Sequence, residues 1–270
     1  MPPRYKELDI DFPPCPAVLL NIQQEMKQNH PSINKIAQYI VCDVVLAAEV
    51  LKTVNSPFYG LHHKVSSISD AIKLIGFTRT LQLVAAASVR QSSPSETNMS
   101  FFWNDSQAVA IIACSIAKYL KMDGDMAYLM GLFHNCAIPL LVNKFPHYFY
   151  DPRMLAPETL DITVAEDAIF NVNHALLGSL FARSWYLPDV IVQAIRFHHS
   201  DELFTQGLDR DTLNLITVNL LANSIYDAIC GRKYDCFLQL EKQIRDYLFL
   251  SDDSEYQSLI DTAMDAIGRF

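Results

Sequence analysis

Along most of the chain the apolar residues recur at three- and four-residue intervals, the spacing that gathers them on one face of an α-helix. Between Cys15 and Gln28 this places Val18, Leu19, Ile22 and Met26 on one stripe, with Pro16 tolerated in the first turn. Ser32 precedes Ile33, Ile36, Ala37 and Ile40 and can cap a second helix. Asp43 can do the same for Val44, Leu46, Ala47, Val50, Leu51 and Val54. The run Asn55-Ser56-Pro57-Phe58-Tyr59-Gly60 then stops the pattern, because Pro57 disfavours helix at Ser56 and Gly60 suits a turn. Ser69 is expected to open a short helix ending at Gly76, and Thr78 another reaching Arg90. Residues 91–98, QSSPSETN, are polar and rich in Ser and Pro, and read as a linker. Beyond it the pattern predicts helices over 99–120, 125–133, 136–143, 161–171, 173–186, 188–197, 210–230, 234–249 and 253–268. No segment alternates strictly between hairpin turns, so the expected fold is all-α.

Composition narrows the chemistry. The 270 residues include only eight glycines, with neither GxGxxG nor GxxxxGK[ST], which excludes the glycine-rich phosphate loops. A formal net charge of −9 gains little from a phosphate backbone, so nucleic acid is a disfavoured partner. Six cysteines at 15, 42, 114, 136, 230 and 236 form no CxxC pair and read as reduced, mostly buried thiols. The first twelve residues carry charges throughout, and no apolar run approaches the roughly 18 residues of a membrane span. The expectation is a cytoplasmic protein with no membrane partner.

Seven stretches carry a resemblance. They are FPPCPAVLLNIQQEM at 12–26, VVLAAEVLKTVNSPFYG at 44–60, ISDAIKLIGFTRTLQLV at 68–84, FFWNDSQAVA at 101–110, GLFHNCAIPLL at 131–141, NHALLGSLFARSWYLP at 173–188 and IRFHH at 195–199. Together, and in this order, the chain resembles the HDOD domain family, a signalling-associated offshoot of the HD and HD-GYP metal-dependent phosphohydrolases. The resemblance implies two packed helical lobes, an N-terminal HDOD lobe and an HD-like helical lobe. Residues 1–11 would be an N-terminal arm and 12–205 the HDOD-like domain, with lobes at 12–90 and 99–205. Residues 206–270 would be a C-terminal helical extension packing on the HD-like lobe. It further implies a regulatory or output role in bacterial signalling.

An HD hydrolase gathers imidazoles and carboxylates around one or two divalent metals, and the carboxylates balance the cation's charge and handle the water's proton. By the family pattern the His-Asp doublet falls here at His134-Asn135, the upstream His at Asp105 and the late Asp at Asn223. Two carboxylates have become amides and one imidazole a carboxylate. His134, Glu166, His174, His198 and His199 survive. The remnant pocket would therefore comprise Asp105, His134, Asn135, Glu166, His174, His198, His199 and Asn223. The four histidines could hold a divalent metal such as zinc, nickel or iron. The bland alternative is a hydrogen-bonded core network left after catalysis was lost.

Other features have competing readings. His198 and His199 are neighbours, and adjacent helical residues point about 100° apart, so both could face one ion only where the helix ends. A plain cation at a helix C-terminus is the alternative. Asn55, with Phe58 and Tyr59, could lie at a lobe interface, but Asn55 before Ser-Pro also fits simple turn chemistry. Residues 69–90 mimic a helix-turn-helix, but the second helix carries only Arg79 and Arg90 as bases and reads as core. The expected function is a non-catalytic regulatory module, with no required cofactor, acting through a signalling protein partner or a small ligand. The alternative is a divergent metal-dependent phosphohydrolase or phosphodiesterase acting on a nucleotide or cyclic dinucleotide.

Overall fold

The computed structural model describes residues 10, 12–61, 63–92, 99–145, 148, 162–232 and 235–268. Among them every regular element is a helix, so the chain is all-α. It divides into two compact units, with boundaries at residues 12/13 and 93/94. The expected arm at 1–11, apart from Ile10, and the core of the expected linker, 93–98, lie outside the described residues.

The smaller unit holds α1 (Ala17–Met26), α2 (Ile33–Val41), α3 (Val44–Val54), a 3-10 turn at Pro57–Tyr59, and α4 (Ile68–Ser92). Two helix starts follow the side chains named above: Ser32 Oγ accepts from Lys35 N–H, and Asp43 accepts from Val45 and Leu46 N–H at 3.0 and 2.9 Å. The start of α4 differs from expectation. Ser67, not Ser69, caps it, because Ser67 Oγ accepts Asp70 N–H at 3.1 Å and donates back to the Asp70 carboxylate at 2.7 Å. Gly76 breaks α4 with φ 81°, where a side chain would be strained, and Thr80 donates its hydroxyl to the Gly76 carbonyl. Beyond the break Leu83, Val84, Ala85, Ala87, Ser88 and Val89 are all buried. That half of α4 packs most of its apolar residues into the core. Asn55 donates to the carbonyls of Leu51 and Val65 and accepts from Val65 N–H at 2.7 Å, so it clamps the loop after α3 to the loop before α4. Tyr59 is half-buried, and the Phe58 side chain lies outside the description.

The larger unit holds α5 (Ser100–Tyr119), α6 (Gly124–Phe133), α7 (Ile138–Lys144), α8 (Ile162–Phe170), α9 (His174–Ser184), α10 (Asp189–Phe197), α11 (Arg210–Ile229), α12 (Asp235–Tyr247) and α13 (Asp253–Gly268). Helix α5 is its spine: α6, α11 and α13 all pack along it. The approach of α6 is close enough to need Gly131, since a Cβ there would meet Ala110 Cα at 2.6 Å. Helices α9 and α10 pair with each other, and α10 also touches α6 and α11. Trp103 and Trp185 are buried anchors of this unit.

Among the described residues four helices end on a left-handed residue that is not glycine: Lys121, Asn171, Tyr186 and Phe249. Glycine is the usual occupant of that position, and this chain has few. Two segments, Ile68–Gln91 and Gly124–Lys144, have the length and hydropathy of a membrane span. Gly76 breaks the first, the turn at 134–137 breaks the second, and 50% and 72% of their most apolar windows are buried, as in core helices. Of the cysteines, Cys114 and Cys136 are buried, Cys15 is half-buried, and Cys42 and Cys230 are exposed, so burial is less general than expected. These five are free thiols, and the side chain of the sixth, Cys236, lies outside the description.

Candidate functional site

Three helix ends converge in the larger unit, and each brings a histidine. His134 is the first residue past α6, and its Nδ1 lies 2.8 Å from the Gly131 carbonyl oxygen. His174 is the first residue of α9, set by Asn173, whose Oδ1 caps the helix through Leu176 N–H at 2.7 Å. His198 closes α10 with Nδ1 2.7 Å from the Ile195 carbonyl oxygen, and His199 follows in the turn. The backbone leaves the helix at this doublet, which lets both rings face the same space, with centroids 4.2 Å apart.

Glu166 on α8 stands behind His174 and is fully buried. Its Oε2 lies 2.8 Å from His174 Nδ1 and also accepts the His174 backbone N–H, and the Tyr148 hydroxyl donates to Oε1. Burial pushes this carboxyl up, but the His174 ring, the Tyr148 hydroxyl and the His174 N–H outweigh it and hold it below its ordinary value. Glu166 therefore orients His174 from the side away from the other histidines.

These partners assign the tautomers. In His134, His174 and His198 an acceptor oxygen faces Nδ1, so Nδ1 carries the proton and Nε2 carries a lone pair. His174 Nε2 and His198 Nε2 are 3.4 Å apart. Two imidazole lone pairs facing each other repel unless a proton or a cation lies between them. Two nitrogens on one tetrahedral zinc stand about 3.3 Å apart. His174, His198 and His199 each offer a ligand atom within 4.8 Å of the others, and they are the one such group among the described residues. A carboxylate, or a backbone carbonyl, behind a ligand's Nδ1 is the usual support of a metal-bound imidazole. The donor set thus fits a borderline divalent ion, with His174, His198 and His199 as the residues that would hold it.

Burial keeps three of these rings, His134, His198 and His199, neutral. It pushes His134 down to about 4, and pushes His198 and His199 well below their ordinary value with help from neighbouring histidines. His134 stands beside the trio, its ring 5.6 Å from that of His198 and hydrogen-bonded to the Asn223 side chain.

The remaining candidates make a different border. Asn223 Nδ2 donates to the Asn219 carbonyl on α11, and Asn135 Oδ1 is buried with no hydrogen-bond partner. Asp105 is tied elsewhere: it accepts the Tyr226 hydroxyl at 2.7 Å and pairs with Arg232 at 3.4 Å, while Arg232 also holds Asp227. Glu166 faces only the back of His174. The structure thus brings His134, His174, His198, His199 and Asn223 together, with Asn135 beside His134, and places Asp105 in an ion pair. Residues not foreseen are Tyr148, Gly131, Asn219, Tyr226 and Arg232. Asn219 alone had a legible signal, as a polar residue four before Asn223 in an apolar stretch.

The HDOD domain profile matches residues 12–201, and the chain belongs to the HDOD domain family. An uncharacterised protein of Treponema pallidum is 31% identical over 204 residues, 70% of this chain, and the match spans 38% of that relative's length. A candidate phosphohydrolase from Shewanella amazonensis shares the fold at TM-score 0.73 with 20% identity, covering 98% of this chain and 97% of its own. An HDOD domain protein of unknown function from Geobacter sulfurreducens does so at TM-score 0.70 and 22% identity, covering 99% and 96%.

Proposed function

We propose that this HDOD chain is a non-catalytic regulatory module of a signalling system, and that its histidine pocket recognises a ligand instead of hydrolysing one. The observation that carries this reading is the all-imidazole donor set: among the described residues no carboxylate oxygen joins the His174, His198 and His199 cluster. A divalent ion held there keeps its full charge. Three imidazoles can still acidify a bound water. Phosphoester hydrolysis further needs a group to take the water's proton and, in two-metal enzymes, a second ion. Asn135 and Asn223 are amides, Asp105 is paired with Arg232, and Glu166 is committed to His174.

The ligand is a borderline cation such as zinc or nickel, since neutral imidazoles favour these over magnesium or calcium. A signalling protein partner in the cytoplasm reads the occupied state. The convergence of lone pairs also favours a second reading, a divergent metal-dependent phosphohydrolase. One experiment separates the two. Purified protein loaded with manganese, iron or nickel is given a cyclic dinucleotide and a generic phosphodiester, beside His134→Ala. The regulatory reading expects no turnover above the variant. Turnover that His134→Ala abolishes would overturn it.

A further inference from the structure

Two adjoining cavities open in the larger unit where the ends of α5, α6, α10, α11 and α12 meet. One, of about 280 Å³, is walled by Met126, Val190 and Val218, and the other, of about 650 Å³, by Leu213, Tyr247 and Phe249. Met122 and Asn214 line both, so they form one groove, and the Tyr247 hydroxyl donates to Asn214 Oδ1 where they join. The walls are apolar, with a methionine at 122 and another at 126 whose flexible side chains adapt to varied partners. Three carboxylates border the groove, Asp123, Asp211 and Asp246, against one cation, Arg210.

Phe249 at one end is 82% exposed. It also sits at φ 59°, a left-handed conformation that glycine adopts freely and phenylalanine does not. A large aromatic side chain held in solvent beside an apolar groove is a feature of recognition surfaces, not of a core. The charge pattern names the complement. An anionic membrane or nucleic acid would meet the carboxylates, whereas an amphipathic helix bearing lysine or arginine beside its apolar face would satisfy walls and rim together.

We propose that this groove docks a basic amphipathic helix of a partner protein. The groove adjoins the helices that build the histidine pocket. Val190 opens α10, which ends at His198, and Val218 lies next to Asn219 and five residues before Asn223 on α11. The regulatory reading explains what the partner is for, but the binding itself requires neither metal nor turnover.

The test uses the full chain and a fluorescein-labelled leucine/lysine peptide of about four helical turns, read by anisotropy at physiological ionic strength. A leucine/glutamate peptide of the same pattern is the charge control. The expected result is saturable binding of the lysine peptide, weakened about tenfold or more by Phe249→Ser and by Asp211→Lys. Val44→Ser, at a 79% exposed position on α3, leaves it unchanged. Circular dichroism confirms that each variant keeps its helix content, and Met126→Glu replaces any that does not. Absence of binding, equal binding of the glutamate peptide, or insensitivity to the groove variants would overturn the proposal. Phosphodiester turnover by the protein would refute the regulatory reading and leave this binding result standing.

Discussion

The two borders of the pocket are built to different standards. On the histidine side, His134, His174 and His198 each have an oxygen behind Nδ1, and the lone pairs of His174 and His198 meet at 3.4 Å. On the amide side, the Asn135 oxygen and both polar side-chain atoms of Asn219 are buried without a partner. An unpaired buried polar group costs roughly 1–3 kcal/mol, so it persists only where something else retains it. The contrast teaches that orientation and charge are separable. The imidazoles are aimed by oxygens behind Nδ1, whereas the carboxylates of Asp105 and Glu166 are engaged with Arg232 and His174.

The largest effect should come from breaking the ordered side. His174→Ala combined with His198→Ala removes two of three donors, and zinc affinity measured by competition with a chelating dye should fall about 1,000-fold or more. An undiminished affinity would place the ion elsewhere.

Acid should weaken the ion-free protein through the same rings. His134 sits near 4 in the fold and at 6.5 when unfolded, so the unfolded chain takes the proton first as pH falls. Its contribution is therefore complete above 6.5 and is lost between 6.5 and 4, by about 3 kcal/mol. His198 and His199 shift in the same direction. Urea unfolding of chelator-treated protein across this range checks the slope, and His134→Gln should flatten it.

A subtler change sharpens the comparison. Glu166→Gln keeps the shape but removes the charge behind His174, and zinc affinity should drop about 10- to 100-fold while the fold is retained. The smallest effect belongs to the amide side. Asn219→Leu removes two unpartnered polar atoms at a fully buried position and should leave stability unchanged or raise it by about 1 kcal/mol in thermal unfolding. A loss of several kcal/mol would mean that Asn219 has a partner, such as a buried water.

Much of this arrangement is legible in the sequence. Ser32, Asp43 and Gly76 announced helix boundaries, because capping and left-handed turns are local events with local residue preferences. The capping by Ser67 was missed because Ser69 satisfied the same rule two residues later. The histidines were legible through their family motif, and the fraying of α10 at His198 could be read from Pro188 and the helix length. The role of Glu166 was not. The family pattern placed it in the pocket, and only the packing of α8 on α9 turns it to the back of the His174 ring. Gly131 was equally silent, since its need arises from Ala110 across a helix interface. The same holds for Asp105, whose pairing with Arg232 spans 127 residues of chain.

The most direct test of the central claim is X-ray absorption on the zinc-loaded protein. The account predicts one ion per chain with three imidazole nitrogens at about 2.0–2.1 Å, no protein carboxylate, and no neighbouring metal. A carboxylate ligand, or a second metal at about 3.5–4 Å, would contradict it and return the pocket to the hydrolases.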